Sequence, residues 1–176
     1  MFSLIENAKV VPVAFPKDFS SAAMTTEWIN RKNYKRVTFI LMLGTQTSTS
    51  AAAVKLKVAD DASGTHSATV SSASASCDLG LARYWKAPTS SVNDVYTKTT
   101  VSSSTFNVTA SSDSKILIIE ANASEGQTFK STSSTYDADF VALSVATPGN
   151  HASLRSCIAI CTDPRYQSDA PPTAIS

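Results

Sequence analysis

Two histidines, His66 and His151, are the first candidates for acid–base chemistry in this chain. Each lies beside turn-forming residues, in "SGTHSA" and "PGNHAS". Serines are abundant, but no G-x-S-x-G segment surrounds any of them, so the sequence gives little support to a hydrolase triad. An enzyme would need a cleft near one histidine and a carboxylate within hydrogen-bond reach of it. The sequence favours two solvent-exposed loop histidines and predicts no catalytic residue.

Cys157 and Cys161 are the next candidates, because paired thiols can bind metal or form a disulfide. They lie four residues apart in a predicted strand, on the same face and roughly 13 Å from each other. That separation is too long for a disulfide and does not suit a zinc site. We therefore predict that both pack as small hydrophobic side chains. The third cysteine, Cys77, lies in a segment rich in serine and alanine.

Acidic residues could offer oxygen ligands to a cation. They are Asp60, Asp61, Glu125, Asp137 and Asp139. No D-x-[DN]-x-[DN]-G loop accompanies them. The chain has 5 glycines, none of them at the spacing of a phosphate-binding loop. The sequence predicts no metal site and no cofactor.

The charge balance argues against nucleic acid as a partner. The chain has 15 Lys and Arg against 14 Asp and Glu, a net charge of +1. Affinity for nucleic acid comes from neutralised phosphates, which require a basic stripe. The densest basic cluster, "NRKNYKR" at 30–36, is predicted to be a solvated turn that enters a strand. The chain also lacks the roughly 18 consecutive apolar residues of a membrane span, and "MFSLIENAKV" does not have the pattern of a secretory signal.

Alternating and β-branched runs predict the elements that would position these residues. "RVTFILML" (36–43) is the strongest predicted core strand and ends at Gly44. In "AAVKLKVAD" (52–60) the apolar positions alternate with lysines, which predicts one buried face. "KILIIEA" (115–121) is typical of a strand buried on both faces. Further predicted strands are "ARYWKA" (82–87), "DVYTKTTVSSSTFNVTA" (94–110), "DFVALSVAT" (139–147) and "ASLRSCIAI" (152–160).

Three segments allow more than one interpretation. "KVVPVAF" (9–15) is extended but contains Pro12, which suits an edge strand or an arm. "FSSAAMTTEWIN" (19–30) could form a helical turn capped by Ser20, or a strand. Residues 61–80 are small and polar and are predicted to form a loop around Gly64.

The 176 residues are sufficient for one domain with a real core. Short strands at intervals of 10 to 20 residues predict an all-β fold, either a single antiparallel β-sandwich or a jelly-roll-like barrel. We divide the chain into an N-terminal extended segment (1–16), a β-sandwich domain (17–162) and a C-terminal arm (163–176). The prolines of "DPRYQSDAPPTAIS" forbid a helix, and its low charge suits docking on another surface.

Both ends of the sequence resemble a family of small virion structural proteins of tailed bacteriophages. The segments that carry the resemblance are "IENAKVVPVAFP", "TEWINRKNYKRVTFIL" and "DPRYQSDAPPTAI", within roughly 5–43 and 154–175. The resemblance implies a non-enzymatic virion component, in particular a capsid decoration or cement protein that binds the major capsid protein. It is consistent with a homo-oligomer, for which we expect a trimer. A tail, head-completion or other minor virion protein is the alternative, and a carbohydrate-binding module that displays Tyr84 or Trp85 is a third.

The resemblance and the aromatic residues near element ends together suggest which residues contact a partner. The predicted partner-binding residues are Trp28, Tyr34, Asp163, Pro164, Arg165, Tyr166, Pro171, Pro172 and Ile175.

Overall fold

The computed structural model describes residues 7–46, 51–70, 83–88, 97–100, 106–109, 115–122, 128–131, 133–147, 152–164 and 174–175. These residues form fourteen β-strands with antiparallel pairing. The strands are β1 (Ala8–Asp18), β2 (Met24–Thr25), β3 (Ile29–Asn30), β4 (Tyr34–Gln46), β5 (Ala51–Ala59), β6 (Ser67–Thr69), β7 (Arg83–Pro88), β8 (Thr97–Thr100), β9 (Phe106–Thr109), β10 (Lys115–Asn122), β11 (Thr128–Ser131), β12 (Ser134–Asp137), β13 (Phe140–Val145) and β14 (Ser153–Pro164).

Two sheets enclose the core. The first, called the β4 sheet below, has the order β1-β14-β4-β10-β7-β8. The second, the β5 sheet, has the order β2-β13-β5-β6, with β3 also paired to β13 and β9 to β5. Strands β11 and β12 form a separate hairpin. Buried side chains from both sheets join one hydrophobic cluster, which confirms the predicted all-β sandwich.

Strand β4 is a central strand of its sheet, with β14 on one side and β10 on the other. Its residues alternate: Val37, Phe39, Leu41 and Leu43 are buried, whereas the residues between them are more exposed. Period-two alternation of this kind places one set of side chains in the core and the other on the outside of the sheet. In β5 the predicted inward positions are likewise buried.

The sequence predicted that β4 ends at Gly44, and this prediction was wrong. The strand continues to Gln46, and its register with β14 shifts between Ser153 and Arg155. A Cβ atom at Gly44 would lie 3.2 Å from both the Cβ and the carbonyl oxygen of Leu154. The glycine therefore allows a close approach of the two strands at a β-bulge, a common role of glycine within strands.

Strand β10 differs from its prediction as well. Leu117, Ile119 and Ala121 are buried, but Ile116 and Ile118 are only half-buried. The strand lies inside the β4 sheet, so its inward face meets the core while its outward face does not meet another layer of the described chain. The prediction of burial on both faces was wrong for this reason.

Two buried arginines hold the ends of β13. Arg31 donates a hydrogen bond from Nη1 to the carbonyl of Ala138 at 2.8 Å, just before the strand. Arg155 donates from Nη1 to the carbonyls of Val145 (3.1 Å) and Ala146 (2.8 Å), where the strand ends. The basic cluster around residue 31 is thus not simply a solvated turn, because Arg31 is only 3% exposed.

The segments with open interpretations form strands. Residues 8–18 are an edge strand, not a free arm, since β1 pairs along its length with β14. Residues 24–25 and 29–30 form two short strands on β13, not a helical turn. Gly64 turns the chain with a φ of 68°, as predicted, but strand β6 follows within the segment predicted to be a loop.

Candidate functional site

The outer face of the β4 sheet, which faces away from the core, carries a row of apolar residues that crosses its strands. The pairing aligns Pro12 with Ile158, Ile158 with Ile40, and Ile40 with Ile118. The three isoleucines are half-buried, and Pro12 is exposed. The register continues from Ile118 to position 85 on β7. We call Pro12, Ile158, Ile40 and Ile118 the isoleucine row.

Apolar residues also flank the isoleucine row. On one side Val10 pairs with Ile160, and Val10 is 46% exposed. On the other side Met42 pairs with Ile116, and both are half-buried. Thr38 is the single polar residue among the described β4 positions between Arg36 and Gly44 on this face. A contiguous apolar patch of this kind marks an interaction site more often than scattered surface hydrophobic residues do.

A shallow hollow of about 280 Å³ opens at one end of this face. Its wall is mostly apolar, with Pro16, Met42 and Ile116 among its residues, and also includes Lys115. Leu154 is 55% exposed and alternates with the buried Ser153 and Arg155 along β14. It faces the β-bulge of β4 at Gly44 and lies at the rim of the hollow.

Phe15 is the most exposed large hydrophobic side chain of the described chain, at 72%. It lies on edge strand β1, next to Pro16 of the hollow and within the register shift between Ala14 and Lys17. An aromatic ring held in water beside an apolar hollow is typical of an anchor for a partner. The other edge of β1 has no strand pairing among the described residues.

The terminal segment is divided between the sheet, the core and positions outside the described residues. Asp163 and Pro164 are the last residues of β14, and Pro164 pairs with Tyr34. Asp163 has a φ of 55°, the left-handed region. Arg165, Tyr166, Pro171 and Pro172 lie outside the described residues.

The chain returns to its own domain near its end. Ala174 is 1% exposed and belongs to the core cluster, and its carbonyl accepts a hydrogen bond from the backbone N–H of Asn30 at 2.8 Å. Ile175 packs against the same cluster. Ile175, which is predicted to contact a partner, thus contacts the core of its own domain and is partly buried there.

Tyr34 and Trp28, both predicted to bind a partner, are engaged within the domain. Tyr34 is fully buried, and burial raises the pKa of its hydroxyl to about 12. The loop at Gly64 lies so close to the indole of Trp28 that a Cβ there would be 2.5 Å from the ring. Lys57 Nζ lies 5.9 Å from the ring centroid, near the upper limit of a cation–π contact. Tyr34 thus packs in the core of its own domain, and Trp28 packs against the loop at Gly64.

His66 has the carboxylate neighbour that an enzyme would require. Its Nδ1 lies 2.9 Å from Oδ2 of Asp60, and its ring stacks on Tyr136 with the centroids 4.2 Å apart. The hollow described above is lined by neither residue of this pair. The stacking of His66 on Tyr136 joins the β5–β6 loop to the β11–β12 hairpin, and the contact with Asp60 lies within that loop. His151 lies outside the described residues.

The two cysteines of β14 behave as the sequence predicted. Both are buried and free, and burial raises the pKa of each thiol to about 12. A thiol with so high a pKa is protonated at neutral pH and therefore a poor nucleophile and metal ligand. Cys77 lies outside the described residues.

The acidic residues have structural roles where the chain is described. Asp61 accepts hydrogen bonds from the backbone N–H groups of Ser63 and Thr65, which lower its pKa. Asp139 forms an ion pair with Lys32 at 2.7 Å. Within the described ranges, no three His, Cys, Asp or Glu side chains group as a metal site would require. Glu125 lies outside those ranges.

Comparisons with known proteins give weak structural likenesses alone. No protein-family model and no curated protein matches the sequence. A mutant VP2 protein of infectious bursal disease virus, in derived T=1 particles, is 14% identical over 90% of this chain and 40% of that chain, with a TM-score of 0.23. A VP2 subviral particle of the same virus is 12% identical over 90% of this chain and 42% of that chain, with a TM-score of 0.22. This chain thus spans less than half the length of either neighbour, and TM-scores of this size do not establish a shared fold.

The described residues contain no helix with the length and apolar character of a membrane span. The apolar outer face was not predicted from the sequence as a site. Its signal was present in "KILIIEA", where apolar residues occupy both faces of a strand. Sequence alone did not distinguish a second buried layer from an exposed one.

Proposed function

We propose that this chain is a non-enzymatic virion structural protein of a tailed bacteriophage, and specifically a capsid decoration protein that binds and stabilises the major capsid protein shell. The resemblance of its two ends to small virion proteins supports the class. The observation that carries the proposal is the outer face of the β4 sheet, an apolar surface that extends over four strands. An apolar surface of this size is typical of a site that binds another protein, as in an assembly.

The chemistry of the described residues supports a binding role over an enzymatic one. The buried thiols are protonated. The His66–Asp60 pair lies within the β5–β6 loop, and neither residue lines the hollow. Edge strand β1 adds a second mode of contact, because a strand edge can extend a neighbouring sheet through backbone hydrogen bonds. Its Val13 carbonyl is already used, since it accepts a hydrogen bond from the backbone N–H of Glu27 at 2.9 Å.

Copy number tests this proposal. Quantitative mass spectrometry of purified phage particles would give the number of copies of this chain relative to the major shell protein. A decoration protein is expected at a ratio near one or at another simple fraction of the shell lattice. Complete absence from particles would refute a virion role and would promote the carbohydrate-binding alternative, which glycan binding by variants at Tyr84 and Trp85 would test.

A tail or head-completion protein is the second candidate of the same class. The same outer face would serve a ring of a few copies equally well, since packing of a flat apolar sheet depends on the partner's shape and not on lattice symmetry. A count of a few to a few dozen copies per particle would favour this second candidate.

A further inference from the structure

We infer that the edge of β3 that faces away from β13 is a binding site for a short uncharged peptide, which Ala174 and Ile175 of the same chain fill in this structure. We call these two residues the docked segment. The site has its own affinity for the docked segment and binds it when it is supplied as a separate peptide. The inference goes beyond the proposed function, because it concerns the isolated chain and does not depend on a role in a virion.

The two edges of β3 have different partners. Ile29 pairs with β13, and the backbone N–H of Arg31 donates a hydrogen bond to the carbonyl of Asp139 at 2.7 Å, just before β13. Successive residues of a strand direct their backbone N–H groups to opposite edges. The N–H of Asn30 therefore points away from β13, and it donates to the carbonyl of Ala174 at 2.8 Å.

The same edge continues towards the residues that precede β3. There the backbone N–H of Glu27 donates to the carbonyl of Val13 in β1 at 2.9 Å. Two carbonyls from distant parts of the chain, those of Val13 and Ala174, thus meet this edge. A backbone N–H group that leaves water without an acceptor costs free energy, so each carbonyl stabilises the edge. The docked segment supplies the carbonyl that bonds to β3 itself.

Side-chain packing adds selectivity to this hydrogen bond. Ala174 is 1% exposed and belongs to the same hydrophobic cluster as Ile29, and Ile175 packs against that cluster. Residues 173–176, with the sequence Thr-Ala-Ile-Ser, carry no charged side chain. Backbone hydrogen bonds at a strand edge, together with pockets for side chains, are the elements of peptide recognition by sheets. The site therefore selects a small apolar side chain followed by an aliphatic one.

The covalent connection does not force the docked segment into this position. Pro164, at the end of β14, pairs with Tyr34. Ala174 is bonded to Asn30, four residues before Tyr34, and a backbone hydrogen bond of 3.2 Å closes the turn between them. A turn brings its ends within about 7 Å, so Pro164 and Ala174 lie within roughly 20 Å of each other. The nine residues between them, 165–173, can span roughly 35 Å. Because the connection is longer than the gap, contacts with β3 and the core determine where the docked segment lies.

This position implies an affinity that can be measured. A segment held by a short connection has an effective concentration of the order of mM at its site. It stays docked only if its Kd is below that concentration, so we expect a Kd of about 1 mM or tighter for the separate peptide. One backbone hydrogen bond and two packed side chains are consistent with a weak affinity of this size.

A full-chain variant whose own segment cannot dock tests the inference. Ala174→Asp would bury an unpaired carboxylate in the core, so the docked segment leaves the site. We expect its unfolding temperature to be about 5 °C below that of the control Thr135→Asp on exposed β12. The acetylated peptide of residues 170–176, at ten times its Kd, should raise the unfolding temperature of Ala174→Asp by about 3–5 °C. The same peptide with aspartate in place of Ala174 should have no effect.

A cleavable chain gives an independent measurement, because it folds before it is cut. In this variant a protease recognition sequence replaces residues 166–172. After cleavage and removal of the released fragment, the unfolding temperature should fall, and the peptide of residues 170–176 should restore it. A saturable rise in either chain supports the inference.

Two results would overturn the inference. One is a peptide that raises the unfolding temperature of neither chain, and the other is an Ala174→Asp variant as stable as its Thr135→Asp control. Copy number in particles is measured separately, so failure of this inference leaves the test of the proposed function unchanged.

Discussion

The two faces of the β4 sheet are made from the same kinds of residue and have different surroundings. On the inner face, Phe39, Leu41 and Leu117 are 0% exposed. On the outer face, one residue further along the same strands, Ile40 and Ile118 retain contact with water. Burial within the domain explains the apolar residues of the inner face alone. The apolar residues of the outer face require another explanation, and we propose that a protein partner covers them.

Leu117→Ala should disrupt the packing of the inner face and give the largest loss in the free energy of unfolding. Loss of a fully buried leucine costs about 3 kcal/mol, from lost transfer free energy and the cavity left behind. The matched change Ile118→Ala, at the next residue, should cost about 1 kcal/mol because its side chain is already half in water. Urea denaturation of both variants measures the difference. Equal losses would contradict the assignment of the two faces.

Arg155→Met tests the charged residue of the inner face. It removes hydrogen bonds to the carbonyls of Val145 and Ala146 and to the hydroxyl of Ser153, and leaves these acceptors buried. We expect a loss of about 2–3 kcal/mol in the free energy of unfolding. Arg36→Met, on the exposed end of the outer face, should change stability by about 0.5 kcal/mol or less. A neutral Arg155→Met would show that the guanidinium is replaceable by an apolar side chain.

Alkaline pH should lower the free energy of unfolding gradually, through titration of buried groups. Burial raises the pKa of Cys157 and Cys161 from 9.0 to about 12, and that of Tyr34 from 10.0 to about 12. The folded state holds these protons more tightly than the unfolded state, so their contribution is complete below pH 9.0 and is lost as the pH rises towards about 12.

Chemical denaturation at a series of pH values measures this loss. Cys157→Ala removes one of the titrating groups, and should therefore flatten the decline of the free energy of unfolding in that range. A decline that is as steep in the variant as in the wild type would show that other groups cause it.

Local patterns predicted much of the fold, because strands reveal themselves through alternation. The inward residues of β4 and β5 and the two thiols of β14 followed from period two alone. The exposure of the outer face was predicted less well from the sequence. A run such as "KILIIEA" reports that both sides of a strand are apolar, and the identity of the covering layer depends on non-local packing.

The contacts that sequence did not predict join residues far apart in the chain. Arg31 and Arg155 are charged residue types that normally lie at the surface, and their burial depends on carbonyl groups at the ends of β13. Ala174 reaches the core through a hydrogen bond to Asn30. Glycine is typical of strand ends, but β4 continues through Gly44 at a β-bulge, where the two β4 residues between Leu43 and Gln46 face Leu154 of β14.

The most direct test of the central claim asks whether the outer face is used in the particle. Ile118→Lys places a charge in the isoleucine row on the β10 side, and Thr135→Lys places the same charge on exposed β12. Quantitative mass spectrometry of particles produced with each variant would count the copies incorporated, after unfolding curves confirm that both variants fold. We predict that Ile118→Lys is depleted from particles while Thr135→Lys is incorporated as the wild type is. Equal incorporation of both variants would contradict the assignment of this face to assembly.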